Sequence, residues 1–112
     1  VKVRTSELDG KTVIIEVEDG DEGDVVDMLD IRENGFAVFG EAVEIPMAVV
    51  DGRLLKEDWF TFNHLLAIEA HELGHILMKS EEEEVAEREG IRLLESNGYT
   101  EAANILIERG IV

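Results

Sequence analysis

His71, Glu72 and His75 stand in the order His-Glu-x-x-His, within the stretch Ala70-His71-Glu72-Leu73-Gly74-His75-Ile76-Leu77-Met78. On a helix, residues four apart lie one above the other, about 40° out of phase. Both imidazoles then face one point, and imidazole is the commonest protein ligand for a metal ion. Glu72 lies roughly 100° further round the helix. Its carboxylate can flank a water at that point without being a ligand itself. Two nitrogen ligands and a carboxylate base are what metal-assisted hydrolysis of an amide requires.

A catalytic zinc takes three protein ligands and leaves one position for water. The chain has no cysteine, so the third ligand must be His, Asp or Glu. A second helix is expected to start five residues after His75 and to fold back on the first, which brings its opening turns to the metal face. Glu83 and Glu87 are four apart and share one face of that helix. One can bind the ion while the other hydrogen-bonds a ligand imidazole and fixes its orientation. Glu82, Glu84 and Glu87 are alternatives to Glu83 as the third ligand. Ser80-x-x-Glu83 also matches a capping box, which is a competing use of the Glu83 carboxylate.

The run from Glu83 to Leu94 resembles the second helix of the gluzincins. That helix carries a ligand Glu, a small residue three positions later and an acid four positions later; Glu83, Ala86 and Glu87 match. Glu87 departs from the Asp usual in the family. With a chain of 112 residues, the combination is similar to the minigluzincins, minimal soluble counterparts of the catalytic domains of integral-membrane metallopeptidases. The motif match covers residues 71–94. The resemblance implies an α+β, zincin-like minimal domain, with a small, mostly antiparallel sheet packed on an active-site helix that a glutamate helix follows. It implies zinc on His71, His75 and Glu83, Glu72 as the catalytic base, and Glu87 holding a ligand imidazole. It also implies a latent form in which a terminal segment blocks the cleft.

The elements that must position these residues are legible in outline. One domain spans 1–112, with 1–57 mainly β. Residues 1–18 read as a hairpin turning at Leu8-Asp9-Gly10-Lys11. Asp19 to Gly23 reads as a solvated loop. Asp24 caps a short helix with Val25, Val26, Met28 and Leu29 on one stripe, ending near Asn34-Gly35. Phe36 to Phe39 and Ala42 to Val50 read as strands, and Asp51-Gly52 as a turn. The active-site helix is expected over 58–79, capped by Asp58 or Asn63. Phe62, Leu65, Leu66, Leu73, Ile76 and Leu77 fall on one arc, and His64, His71 and His75 nearly opposite. Glu69 interrupts the apolar arc. Gly74 costs about 1 kcal/mol against Ala in a helix interior, which points to close approach of a neighbouring segment. The glutamate helix covers 80–96 and ends at Asn97-Gly98. Thr100 caps a last helix, Glu101 to about Arg109, and Gly110-Ile111-Val112 is an apolar tail, so that 100–112 holds the C-terminal helix and the candidate latency segment. Trp59, Phe60 and Phe62 are expected in the core, Tyr99 as a packed aromatic and His64 as a structural or capping residue. His64 and Tyr99 are also the spare groups able to stabilise an oxyanion.

Composition narrows the partners. The formal charge is −17, from 27 acids against 10 bases, which opposes nucleic acid binding and favours cations and basic peptides. The apolar share, 45%, suffices for a core. No apolar run approaches the ~20 residues of a membrane span, and the first residues lack an apolar signal core. The expectation is a soluble, cytoplasmic zinc peptidase acting on peptides or proteins, with manganese or cobalt also acceptable to the ligand set. The tail Ile107 to Val112 either enters its own cleft, enters that of a second copy to make a homodimer, or packs on the core. Two readings compete with catalysis: a non-catalytic metal- or partner-binding protein with a structural zinc site, and a chance motif without metal.

Overall fold

The computed structural model describes residues 1–20 and 34–109. The expected helix from Asp24 lies outside these residues, as does the end of the tail, 110–112. Four strands, β1 (Lys2–Thr5), β2 (Val13–Val17), β3 (Gly35–Val38) and β4 (Met47–Asp51), form one mixed sheet in the order β1-β2-β4-β3. The hairpin forms as expected, with Lys2 opposite Glu16 and Thr5 opposite Val13. Its turn is held by Asp9, whose carboxylate accepts from the Lys11 and Thr12 backbone N–H groups. The outer pairings are antiparallel, but the central pair, β2 with β4, is parallel. A parallel pair needs a long crossover, which residues 18–46 supply; that crossover carries β3 to the far edge.

The strand expected over Ala42 to Val50 is shorter than its hydrophobicity suggests. Gly40 to Pro46 is turn and loop, with the Val43 N–H donating to the Gly40 carbonyl, and pairing begins only at Met47. Proline has no N–H for a ladder, so Pro46 sets that start. Asp51 then closes β4 and caps a short 3-10 helix, Gly52–Lys56, accepting from the Arg53 N–H.

Helix α1 (Phe62–Met78) is the centre of the molecule. It starts four residues later than the expected 58. Neither Asp58 nor Asn63 is its cap; Thr61 is, and the His64 Nδ1 accepts the Thr61 N–H at 3.1 Å. Asp58 and Trp59 are spent in a turn after the 3-10 helix, so the aromatic cluster divides. Phe60 is buried, whereas Trp59 and Phe62 are exposed, against expectation. Arg109 lies over the Trp59 ring at 5.2 Å.

The picture of one packed arc on α1 also gives way. From Leu65 to Ile76 every residue except Ile68 is buried, because the sheet, α2 (Glu83–Ser96) and α3 (Thr100–Arg109) enclose the helix. Ile14, Ala48 and Val50 of the sheet, Leu65, Leu66 and Leu73 of α1, Leu94 of α2 and Leu106 of α3 belong to one core. Glu69, 1% exposed, fits there because its charge is met. One oxygen accepts from Arg4 at 2.6 Å and the other from the Ser6 hydroxyl at 2.6 Å.

The crossing of α1 and α2 depends on small residues. A Cβ on Gly74 would stand 2.0 Å from the Ala86 carbonyl oxygen, and one on Gly90 2.9 Å from that of Ala70. The backbones therefore meet directly, as the Gly74 reading anticipates. Between the helices, Lys79 takes the left-handed conformation, φ 50°, and the Ser80 N–H donates to the His75 carbonyl. The expected Ser80–Glu83 capping box does not form. Glu82 is the N-cap, its own N–H bonded to the Ser80 hydroxyl, and the helix opens at Glu83.

Candidate metal centre

Close helix crossing decides the geometry of the site. With α2 drawn onto Gly74, the first residue of α2 is carried over the His-Glu-x-x-His face of α1. Glu83 Oε2 lies 2.7 Å from His71 Nε2, and Glu83 Oε1 lies 3.2 Å from His75 Nε2. The two rings are 4.8 Å apart and perpendicular. His71, Glu72 and His75 are buried and offer ligand atoms within 4.8 Å of one another. This group can hold a metal ion. Neighbouring ligand atoms on a tetrahedral zinc with ~2.0–2.1 Å bonds are roughly 3.3 Å apart, close to the Glu83–His75 spacing, whereas the 2.7 Å contact of Glu83 with His71 is that of a hydrogen bond.

The protonation pattern gives an independent test of fit. His75 Nδ1–H donates to the Ser80 carbonyl at 2.7 Å. In a neutral imidazole the other nitrogen is then a bare lone pair, and here it faces a carboxylate oxygen at 3.2 Å. Either a metal ion or a proton on Nε2 can bridge two such atoms. The donor set of two imidazoles and a carboxylate suits zinc and several other divalent ions. The backbone carbonyl below His75 acts as an orienting partner, and the left-handed Lys79 puts it there.

His71 is held differently. Its Nδ1 is buried and takes no hydrogen bond. Glu87, one turn after Glu83, reaches His71 through its charge. Burial is the largest influence on His71 and lowers its pKa below the ordinary value; Glu83 and, more weakly, Glu87 oppose that shift.

Glu82 and Glu84, the alternative ligands from the glutamate run, do not line the cleft, and Glu84 pairs with Arg88. Neither His64 nor Tyr99 lines it either. His64, in the first turn of α1, accepts the N–H of the N-cap Thr61, and Tyr99 packs against the core.

The centre opens on a cleft of about 580 Å³ between β3 and α1. Gly35, Phe36, Ala37 and Phe39 form one wall, and Ile68, Glu72, Glu81 and Glu83 lie across from it. Gly35 is required where it stands. A Cβ there would fall 2.8 Å from the Val49 carbonyl oxygen and 2.9 Å from the Ile68 side chain, so its absence lets β3 pair with β4 while packing against α1 at Ile68. Phe39 stacks on His75, with centroids 6.3 Å apart and planes 17° apart. β3 ends the sheet order among the described residues, and its residues Gly35, Phe36 and Ala37 line the cleft. Ile107 to Arg109 complete α3 and do not line the cleft.

Gly35, Ser80 and Phe39 escape a reading of the sequence. Asn34-Gly35 signals a helix stop as well as a close approach, and a backbone carbonyl has no signature. No helix among the described residues is long and apolar enough to cross a membrane. Comparison with family models, with curated proteins and with solved structures gives no match to this chain.

Proposed function

We propose that this chain is a zinc-dependent peptidase of the gluzincin type, with His71, His75 and Glu83 as ligands and Glu72 as the base. The observation that carries the reading is the meeting of Glu83 with both Nε2 atoms while the Ser80 carbonyl fixes the His75 tautomer. The bound ion would supply Lewis acidity towards the scissile carbonyl and a lowered pKa for water. Glu72 accepts the proton of the attacking water and returns it to the leaving amine. The outer edge of β3 holds an extended peptide by main-chain hydrogen bonds, and Phe39 keeps water from one side of His75.

A second reading has one observation behind it. Glu72 is 7% exposed and lies in the same buried group as the two imidazoles. As a fourth protein ligand it would close the site, and the zinc would be structural. Glu72→Gln separates the two. In a peptidase it lowers cleavage of a quenched fluorescent peptide by about 10²–10⁴-fold, with metal content retained. In a closed structural site the same change weakens metal binding, and no cleavage is lost because none existed.

A further inference from the structure

We infer that the cleft selects extended peptides carrying a basic side chain beside the scissile bond, and that Glu81 is the residue that selects them. The inference rests on the peptidase reading and deepens it. Glu72, Glu81 and Glu83 line the cleft, and no Lys or Arg among the described residues does so. Two of these carboxylates have other work. Glu83 meets both imidazoles, and Glu72 is buried beside them. A divalent ion on the three ligands is outweighed by one negative charge once all three carboxylates are ionised. Glu81 carries that surplus. It is exposed, precedes the N-cap of α2, and is the lining carboxylate left to meet substrate.

The opposite wall sets the geometry of the choice. Phe36, Ala37 and Phe39 are apolar and belong to the segment whose main chain would run beside the substrate. Side chains of an extended peptide alternate in direction. Alternate ones turn to the face of the sheet that carries Phe36, while their neighbours, on the face towards α1, come beside Ala37 and Phe39 and the side of the cleft that Glu81 lines. An acidic side chain there meets repulsion from Glu81, within the wider field of a chain of formal charge −17. A Lys or Arg gains an exposed ion pair, a contact worth roughly a two- to fivefold preference at low salt.

The test uses the zinc-loaded full chain and two blocked hexapeptides, identical except for Lys or Glu beside a central Phe. Binding is read by fluorescence anisotropy at low and high salt, and cleavage is followed in parallel. The expected result is tighter binding of the Lys peptide, by about two- to fivefold or more at low salt, with the gap narrowing as salt screens it. Glu81→Lys should remove or reverse the gap. Glu95→Lys, the same charge change at an exposed position of α2 outside the cleft, should keep it. Equal binding of the two peptides overturns the inference, as does a gap that Glu81→Lys and Glu95→Lys reduce equally. Cleavage of both peptides without preference would remove the selection and leave the peptidase standing. Charge-selective binding without cleavage would do the reverse.

Discussion

His75 has one nitrogen tied to a backbone carbonyl and the other aimed at a carboxylate, and that arrangement makes protons and metal competitors for the same atom. The competition has a sign. Burial holds the His71 pKa below the ordinary value, and His64 is lowered too, by burial and then by Arg109. Both are therefore neutral in the fold at pH 7, while the unfolded chain takes up protons below about pH 6.5. Stability is at its full value above that pH and falls as the pH drops through it. Urea unfolding of the metal-free protein should show a plateau above about pH 7 and a decline below 6.5; stability that rises on acidification contradicts these assignments. That His71 and His75 face one point was readable because a helix converts sequence spacing into direction. Spacing alone left Glu82, Glu83, Glu84 and Glu87 open, and only the resemblance to the gluzincin helix singled out Glu83. Glu69 was not, because its partners Ser6 and Arg4 lie 63 and 65 residues away.

Helix α1 meets α2 through backbone, and that contact holds Glu83 in place. Gly74→Ala puts a methyl group 2.0 Å from the Ala86 carbonyl. Overpacking of this kind against main chain should cost about 3 kcal/mol or more, seen as a fall in Tm of roughly 10 °C, and it should weaken zinc binding as Glu83 moves off the imidazoles. A variant as stable as the parent contradicts the close crossing. The turn between the helices predicts the opposite sign. Lys79 occupies left-handed space, which costs a non-glycine residue about 1 kcal/mol, so Lys79→Gly should raise Tm by a few degrees. A fall in Tm would show that the lysine side chain is needed there. Helix existence was legible from periodicity, but the start of α1 was not. Asp58 is as good a cap as Thr61 by composition, and only the turn after the 3-10 helix decides between them. The exposure of Trp59 and Phe62 follows from the same shift.

The described residues form an α+β domain wrapped around one buried helix, and the first strand and the residue after it secure that helix. β1 and that next residue supply Arg4 and Ser6 to Glu69 on α1, and Arg4 also pairs with Glu16 on β2. Glu69→Ala strands Arg4 and Ser6 at a partly buried position. Breaking such a pair should cost about 2–4 kcal/mol, a little below a fully buried one because Arg4 is partly exposed. Denaturant unfolding measures it, and a loss under about 0.5 kcal/mol would show the pair to be incidental. The parallel pairing of β2 with β4 was invisible beforehand, since alternation along a strand does not encode its direction. The convergence of two helices and a sheet edge on one point is the claim everything functional rests on. Its most direct test is a zinc titration of the metal-free chain, read by calorimetry alongside His75→Ala and Glu83→Gln. One tight equivalent per chain, abolished by the first variant and weakened by the second, is the predicted result. No saturable zinc, or a Glu83→Gln chain that binds as tightly as the parent, would contradict it.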